Sequence, residues 1–276
     1  MRVLIAGCGD VGSILAEMLL RDGHTVYGLK RDTSSLPAGV NAIRADLTKP
    51  STLTNLPQDI DQLVFMPTPG SRDQVAYEAV FVEGLRHLWA ALAKEPERTV
   101  LVSSTAVFGQ SDGSVVTEES VPAPSRFNGK VLLEMERLGY ALSDSLMVAR
   151  ISGIYGPGRE GMIRLAATDS LEAQQTPPYF TNRIHINDAA AALMHLLLMD
   201  KPQAMYLLTD DLPVARYEVL SWLAGEMGKP SPKGLVDEQA SRGKRVENRR
   251  LRDSGFRFTY PDYRAGYSSV LDDYSV

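Results

Sequence analysis

Arg2-Val3-Leu4-Ile5-Ala6-Gly7-Cys8-Gly9-Asp10-Val11-Gly12-Ser13-Ile14-Leu15-Ala16-Glu17-Met18-Leu19-Leu20 is the stretch on which the reading turns. Residues 2–6 form a mostly apolar run of strand length, and residues 13–20 repeat apolar side chains at helical spacing. Between them lies Gly-x-Gly-x-x-Gly. Gly7 permits a tight turn off the strand. Gly9 has no Cβ, so a pyrophosphate can approach the backbone, and Gly12 lets the helix pack close on the strand. A helix N-terminus offers unbonded N–H groups and a partial positive charge to an anion. The motif alone is weak, but a strand precedes it, a helix follows, and Gly23–Leu29 reads as a second strand. That context makes it a dinucleotide site, with Gly7, Gly9, Asp10, Val11 and Gly12 as its phosphate-facing residues.

The rest of the chain reads as a soluble globular protein. It has 276 residues, 44% of them hydrophobic, and a net charge of −5. That balance gives no general attraction to nucleic acid or anionic membrane. No apolar run approaches a membrane span, and the N-terminus enters its first strand without a signal-peptide pattern. A single cysteine, Cys8, cannot form an internal disulfide, so the expected location is the cytoplasm. Four scattered histidines and one cysteine offer no zinc spacing, and no metal is expected.

Short apolar strands alternate with helices: strands at 40–46, 62–66, 98–103 and 145–151, and helices at 72–94 and 125–142. This alternation specifies an α/β protein with a doubly wound parallel sheet. The second strand ends in Lys30-Arg31-Asp32. Dinucleotide folds that prefer NAD carry an acidic side chain here for the ribose 2′-OH. Lys30 and Arg31 instead suit a 2′-phosphate and favour NADP. Asp32 is the rival, and with it NAD. Asp46 ends the third strand, either receiving the adenine amino group or capping the next turn. Pro67-Thr68-Pro69-Gly70 stops the fourth strand on the carboxyl edge of the sheet, where ligands bind, which adds Pro67 to the cofactor set. Residues 103–124 read as a strand end and polar loop. Asp188 reads as the cap of the helix running to Met199, and His185 as either a ligand contact or a structural hydrogen bond.

Four segments together resemble the short-chain dehydrogenase/reductase superfamily, in its extended branch of NAD(P)-dependent epimerases and dehydratases. They are AGCGDVG, SSTAVFG from Ser103 to Gly109, ARISGIYGPGR from Ala149 to Arg159, and NRIHINDAA from Asn182 to Ala190. The resemblance implies a Rossmann core over 1–155, with 181–205 returning to it. A smaller substrate-binding part over 156–180 and 206–276 would complete it. It also implies a catalytic Ser, Tyr and Lys, often with an Asn. Transferred one at a time, the Ser falls on Ser104, with Ser103 and Thr105 flanking it, and the Lys falls on Lys130. The Tyr of Tyr-x-x-x-Lys falls on Arg126, and the Asn falls near Phe81. The chain therefore keeps two of the four and loses the acid/base.

That loss matters chemically. A guanidinium with a pKa above about 12 does not cycle a proton near neutral pH, although its planar fork can clamp a carboxylate or phosphate. Arg126 thereby becomes a substrate-binding candidate, and Tyr155 the best spare phenol. Tyr140 lies further along the same helix as Lys130. In the basic stretch 242–252, Arg245 and Asn248 either bind an anionic substrate group or belong to a solvated face.

Two functions follow. One is an NAD(P)-dependent reductase or epimerase/dehydratase-like enzyme for a small polar metabolite, an anion if Arg126 and Arg245 bind it. The other is a non-catalytic NADP(H)-binding sensor, which the missing Tyr favours. The helices at 72–94 and 125–142 resemble a pair that forms dimer interfaces in relatives, so a homodimer is a further expectation.

Overall fold

The computed structural model describes residues 1–272 of the chain. Strand β1 (Arg2–Ala6) runs through the glycine turn into helix α1 (Asp10–Arg21), and β2 (Thr25–Lys30) and β3 (Asn41–Arg44) follow. Then come β4 (Gln62–Phe65), α2 (Gln74–Tyr77), a π-helical segment (Glu78–Glu83), α3 (Gly84–Ala91), β5 (Arg98–Ser104), α4 (Phe127–Leu142) and β6 (Leu146–Ile151). Helix α5 (Ile186–Leu198) and β7 (Met205–Leu208) return to this layer. The seven strands form one sheet in the order β7-β6-β5-β4-β1-β2-β3. β1 pairs in parallel with β2 and β4, β2 with β3, and β4 with β5. The order reverses at β1, giving the doubly wound Rossmann-like α/β arrangement. Strands β4 and β6 are buried along their whole length, as apolar central strands of such a sheet must be.

The chain groups into two compact units: Met1–Val107, Pro124–Arg150 and Ala190–Tyr206 in one, and Phe108–Ala123, Ile151–Ala189 and Leu207–Val276 in the other. The second unit thus takes in 108–123 and 151–189, more than the sequence leads one to expect. Part of the stretch read as polar loop is a strand, Asp112–Val116, paired in parallel with Gly243–Val246. The strand at Gly243–Val246 in turn adjoins Phe180–Thr181, and Phe180–Thr181 adjoins Val214–Ala215. The core of this unit holds Tyr155, Ile163, Val219, Leu223, Tyr263, Tyr267 and Val270.

The helix expected over 72–94 is not continuous. The π segment interrupts it and is followed by Gly84, where a Cβ would come 3.1 Å from Leu47 Cβ. His87 Nδ1 bonds to Leu47 O at 2.8 Å. The helix is thus drawn onto the 46–48 loop, and the wider turn accommodates that approach. Among the described residues, no helix is long and apolar enough to cross a membrane.

Candidate dinucleotide site

The first unit carries a cleft of about 290 Å³ at the carboxyl edge of β1, β2 and β4. The glycine turn forms its floor. Gly7 has φ +90°, and a Cβ there would overlap Pro67 Cα and sit 2.6 Å from Pro67 N. Gly7 therefore serves both the turn and the passage of the Pro67 loop across it. Gly12 packs as expected: a Cβ would meet Ile5 Cγ2 at 3.2 Å. Gly9 is different, because the nearest atom to a Cβ there is Gly7 O at 3.9 Å. Its missing side chain leaves open space. Helix α1 has no side-chain cap at Gly9, and its first backbone bond runs from Ser13 N to Gly9 O at 2.7 Å. The N–H groups of the first turn are left to an anion. Val11 is buried beneath that turn.

Lys30, Arg31, Asp46 and Pro67 all line the same cleft, together with Leu29, Leu47 and Val80. Lys30 Nζ donates to Ser35 Oγ at 2.9 Å, and exposed Arg31 has no ion-pair partner among the described residues. Asp32 lines the cleft too, but Ser34 N donates to its Oδ1 at 3.0 Å, and its hydrogen bonds with Ser34 hold the carboxyl below its usual range. Asp46 takes both Thr48 N, at 3.0 Å, and Thr48 Oγ1, at 2.8 Å, on Oδ1. Burial works to raise the Asp46 carboxyl, but the Thr48 hydrogen bonds outweigh it and the net shift is downward. The loop-capping role is therefore occupied, with Oδ2 left over. An open phosphate cradle, an apolar wall and two cations fit the adenosine-diphosphate half of a nicotinamide dinucleotide. The apolar wall was missed in the sequence: Leu47 and Val80 had no signal beyond their apolar type. Cys8 is buried, and burial raises its thiol pKa, as suits a small packing residue.

Ser104 ends β5, next to β4 in the sheet, where Leu101 stands opposite Phe65. Ser104 and the Pro67 loop therefore share one sheet edge. Ser104 Oγ accepts from Ala106 N at 3.1 Å and keeps its own O–H. Ser103 does not compete. It is buried and donates to Glu136 Oε1 at 2.5 Å. The same carboxylate is clamped by Arg150 through Nε at 3.0 Å and Nη2 at 2.7 Å. Lys130 is exposed in α4. Arg126 is exposed too, but it lies just before the helix in extended conformation, φ −95° and ψ 152°. Ser104, Arg126 and Lys130 are not among the residues lining the nucleotide cleft.

The second unit corrects the candidates placed there. Tyr155 is 3% exposed, its ring stacks on Tyr267 at 4.3 Å, and its hydroxyl donates to Asp262 O at 3.4 Å. Burial also pushes its phenol pKa upward, and its ring and hydroxyl are both taken up in core packing. His185 is 1% exposed, between Tyr155 at 5.4 Å and Tyr260 at 4.0 Å. Its Nδ1 accepts from Asn187 N at 3.3 Å, and burial lowers its pKa to about 4. It is a buried histidine whose Nδ1 is spent on the backbone, while its Nε2 has no hydrogen-bond partner among the described residues. Asp188 does not cap its helix. It lies within α5, and its carboxylate accepts from Thr259 N at 2.9 Å and Tyr260 N at 2.8 Å.

Asn248 is also spent on structure, donating to Thr209 O at 3.0 Å and Asp211 Oδ1 at 2.7 Å. Arg245 is exposed; its Nε donates to Gly113 O at 2.8 Å and its guanidinium lies 5.1 Å from the Phe180 ring. An open cleft near this stretch is lined by Asn248, Arg249, Arg252 and Arg257 together with Glu247 and Asp253. Tyr140, in the first unit, is turned to Ala204 O at 2.9 Å. Among the described residues, no group of three or more His, Cys, Asp or Glu side chains could hold a metal ion.

Similarity to known proteins agrees with this geometry. A solved structure from Methylobacillus flagellatus, provisionally described as an NAD-dependent epimerase/dehydratase, is 37% identical. It covers 99% of this chain and 98% of its own, with a TM-score of 0.85. MoeE5, solved in complex with UDP-glucose and NAD, is 27% identical over 99% of this chain and 98% of its own, with a TM-score of 0.80. Protein YeeZ of Escherichia coli K12 is 26% identical over 273 residues, which is 95% of this chain and 97% of YeeZ. Residues 3–207 match the NAD dependent epimerase/dehydratase family, and the chain belongs to that family.

Proposed function

We propose that the protein is an NAD(P)-dependent enzyme of the reductase or epimerase/dehydratase type, acting on a small polar metabolite. The observation that carries this reading is the open cradle at Gly9 beside Lys30, Arg31 and Asp46. NADP is the preferred form. Lys30 and Arg31 offer two cations to a 2′-phosphate, while the rival Asp32 is engaged by Ser34. When bound, the nicotinamide ring would supply the hydride chemistry. The chain's own part is orientation: Ser104 presents its O–H to a substrate oxygen, and Lys130 holds the ribose, as in the family it belongs to. The binding of UDP-glucose and NAD by MoeE5 supports a nucleotide sugar as one such metabolite. Arg126, exposed beside these groups, suits an anionic substituent. A cytoplasmic homodimer built on the 74–91 and 127–142 helices belongs to the same reading, with sedimentation velocity as its check.

Arg126 also favours a second reading, since it stands where the acid/base would be: a dinucleotide-binding sensor without turnover. Ser104→Ala separates the two. For an enzyme, turnover of a UDP-hexose panel with NADP or NAD falls at least about tenfold while calorimetric dinucleotide affinity is kept. Absence of turnover in the unaltered protein across that panel, with dinucleotide bound, favours the sensor.

A further inference from the structure

We propose that Tyr77 supplies the phenol of this site, the proton-transfer group that Arg126 fails to provide. The inference rests on the dinucleotide reading above and adds a residue to it. Its ground is the way the first turn of α4 is held. Gly129 has no room for a side chain, because a Cβ would overlap Ala106 O and lie 2.7 Å from Pro124 Cβ. The start of α4 is therefore pressed onto the turn that follows Ser104. Phe127 opens that helix, and its ring meets Tyr77 edge-on, with centroids 5.3 Å apart and planes at 83°. Lys130 follows Phe127 by three residues and so shares its helix face. Tyr77 thus touches the first turn of the helix that carries Lys130, and that same turn is pressed onto the residues following Ser104.

The Tyr77 ring is fixed from a second side by Phe81, 5.3 Å away. It is half-buried, yet among the described residues its hydroxyl has no hydrogen-bond partner. A ring clamped by two aromatics with its O–H unspent is a positioned donor. The π segment begins at the next residue, and Val80 within it lines the nucleotide cleft. The other tyrosines of this unit are accounted for. Tyr27 lies mid-strand opposite Leu4, Tyr140 donates to Ala204 O, and Tyr206 accepts from Gln203 N.

In the proposed step, the Tyr77 oxygen would take up the hydroxyl proton of a substrate alcohol as it is oxidised, and a bound oxidised dinucleotide would be the acceptor of the carbon-bound hydrogen with its electron pair. Reduction of the ketone reverses both transfers.

Nitration with tetranitromethane, mapped by mass spectrometry, tests the placement. Tyr77 should nitrate in the free protein. Saturating NADP should slow its nitration at least about fivefold, while 2′,5′-ADP, which fills only the adenosine end, should leave the rate unchanged. Tyr77→Phe is the control for the origin of the nitrated peptide. A Tyr77 that does not nitrate, or that nitrates equally with NADP and 2′,5′-ADP, overturns the proposal. Calorimetry on the same sample keeps the two readings apart. If NADP binds and Tyr77 is unprotected, only this assignment fails; if NADP does not bind, the dinucleotide reading fails with it.

Discussion

The glycine turn of the first unit and the aromatic cluster of the second use similar materials to opposite ends. At Gly9 the absence of a side chain leaves space, Arg31 has no ion-pair partner among the described residues, and the first turn of α1 has no side-chain cap at Gly9. At Tyr155 and His185 the polar side chains are buried among Tyr260 and Tyr267, and Gly266 has no room for a Cβ because the Tyr155 ring occupies it. Residue type alone would rank a tyrosine and a histidine above a glycine as functional groups. Their surroundings reverse that order. Polar atoms left unspent on a concave surface can meet a ligand, and polar atoms sealed in a core cannot.

The contrast can be broken most forcefully at Tyr155. Tyr155→Ala should cost about 3–5 kcal/mol of stability, as large aromatic truncations in cores do, read as a fall in the denaturant midpoint. A loss below 1 kcal/mol would mean that the residue is not core. Gly7→Ala comes next. Its Cβ overlaps Pro67 at a left-handed φ, and a penalty of about 2–3 kcal/mol is expected by the same measurement. Arg31→Ala should weaken NADP about tenfold in calorimetry and leave NAD nearly unchanged, in keeping with one charge-assisted contact. Equal losses for the two nucleotides would remove Arg31 from the 2′-phosphate.

The smallest effect is in the pH dependence of the second unit. His185 has its pKa lowered from 6.5 to about 4 by burial, so its contribution is complete above pH 6.5 and is lost as pH falls toward 4. Asp210, 1% exposed with Oδ2 unpartnered, has its pKa raised from 3.8 to about 8 by burial. Its folded form holds a proton that the unfolded chain has released, so stability declines as pH rises toward 8. Between pH 6.5 and 8 only the Asp210 slope remains of the two. The melting temperature should fall across that window, and Asp210→Asn should flatten the fall.

These two regions also show what a sequence discloses. The glycine turn was legible because strand, turn and helix are contiguous, and each glycine acts on neighbours a few residues away. Lys30, Arg31 and Asp46 followed because strand ends in a parallel sheet share one edge. The second unit was not legible in this way. Asp112–Val116 becomes a strand only by pairing with Gly243–Val246, and its sequence, DGSVV, reads locally as a turn. Tyr155 is buried by Tyr267 and bonded to Asp262, more than a hundred residues away, so no local pattern could mark it as core. The placement of Tyr77 has no local signal for the same reason: its partner Phe127 lies on another helix. The apolar stripe of 72–94 concealed the π segment, since periodicity alone does not separate the two helix types.

Gly9→Ala gives the most direct test of the central claim, because the added methyl meets no protein atom closer than 3.9 Å and so should strike only a ligand. Isothermal titration of the unaltered protein with NADP, NADPH, NAD and NADH should show binding, tightest for an NADP form. The same titration of Gly9→Ala, at an unchanged melting temperature, should show affinity reduced at least about tenfold. No heat of binding to the unaltered protein at millimolar nucleotide, or equal binding by Gly9→Ala, would contradict the account.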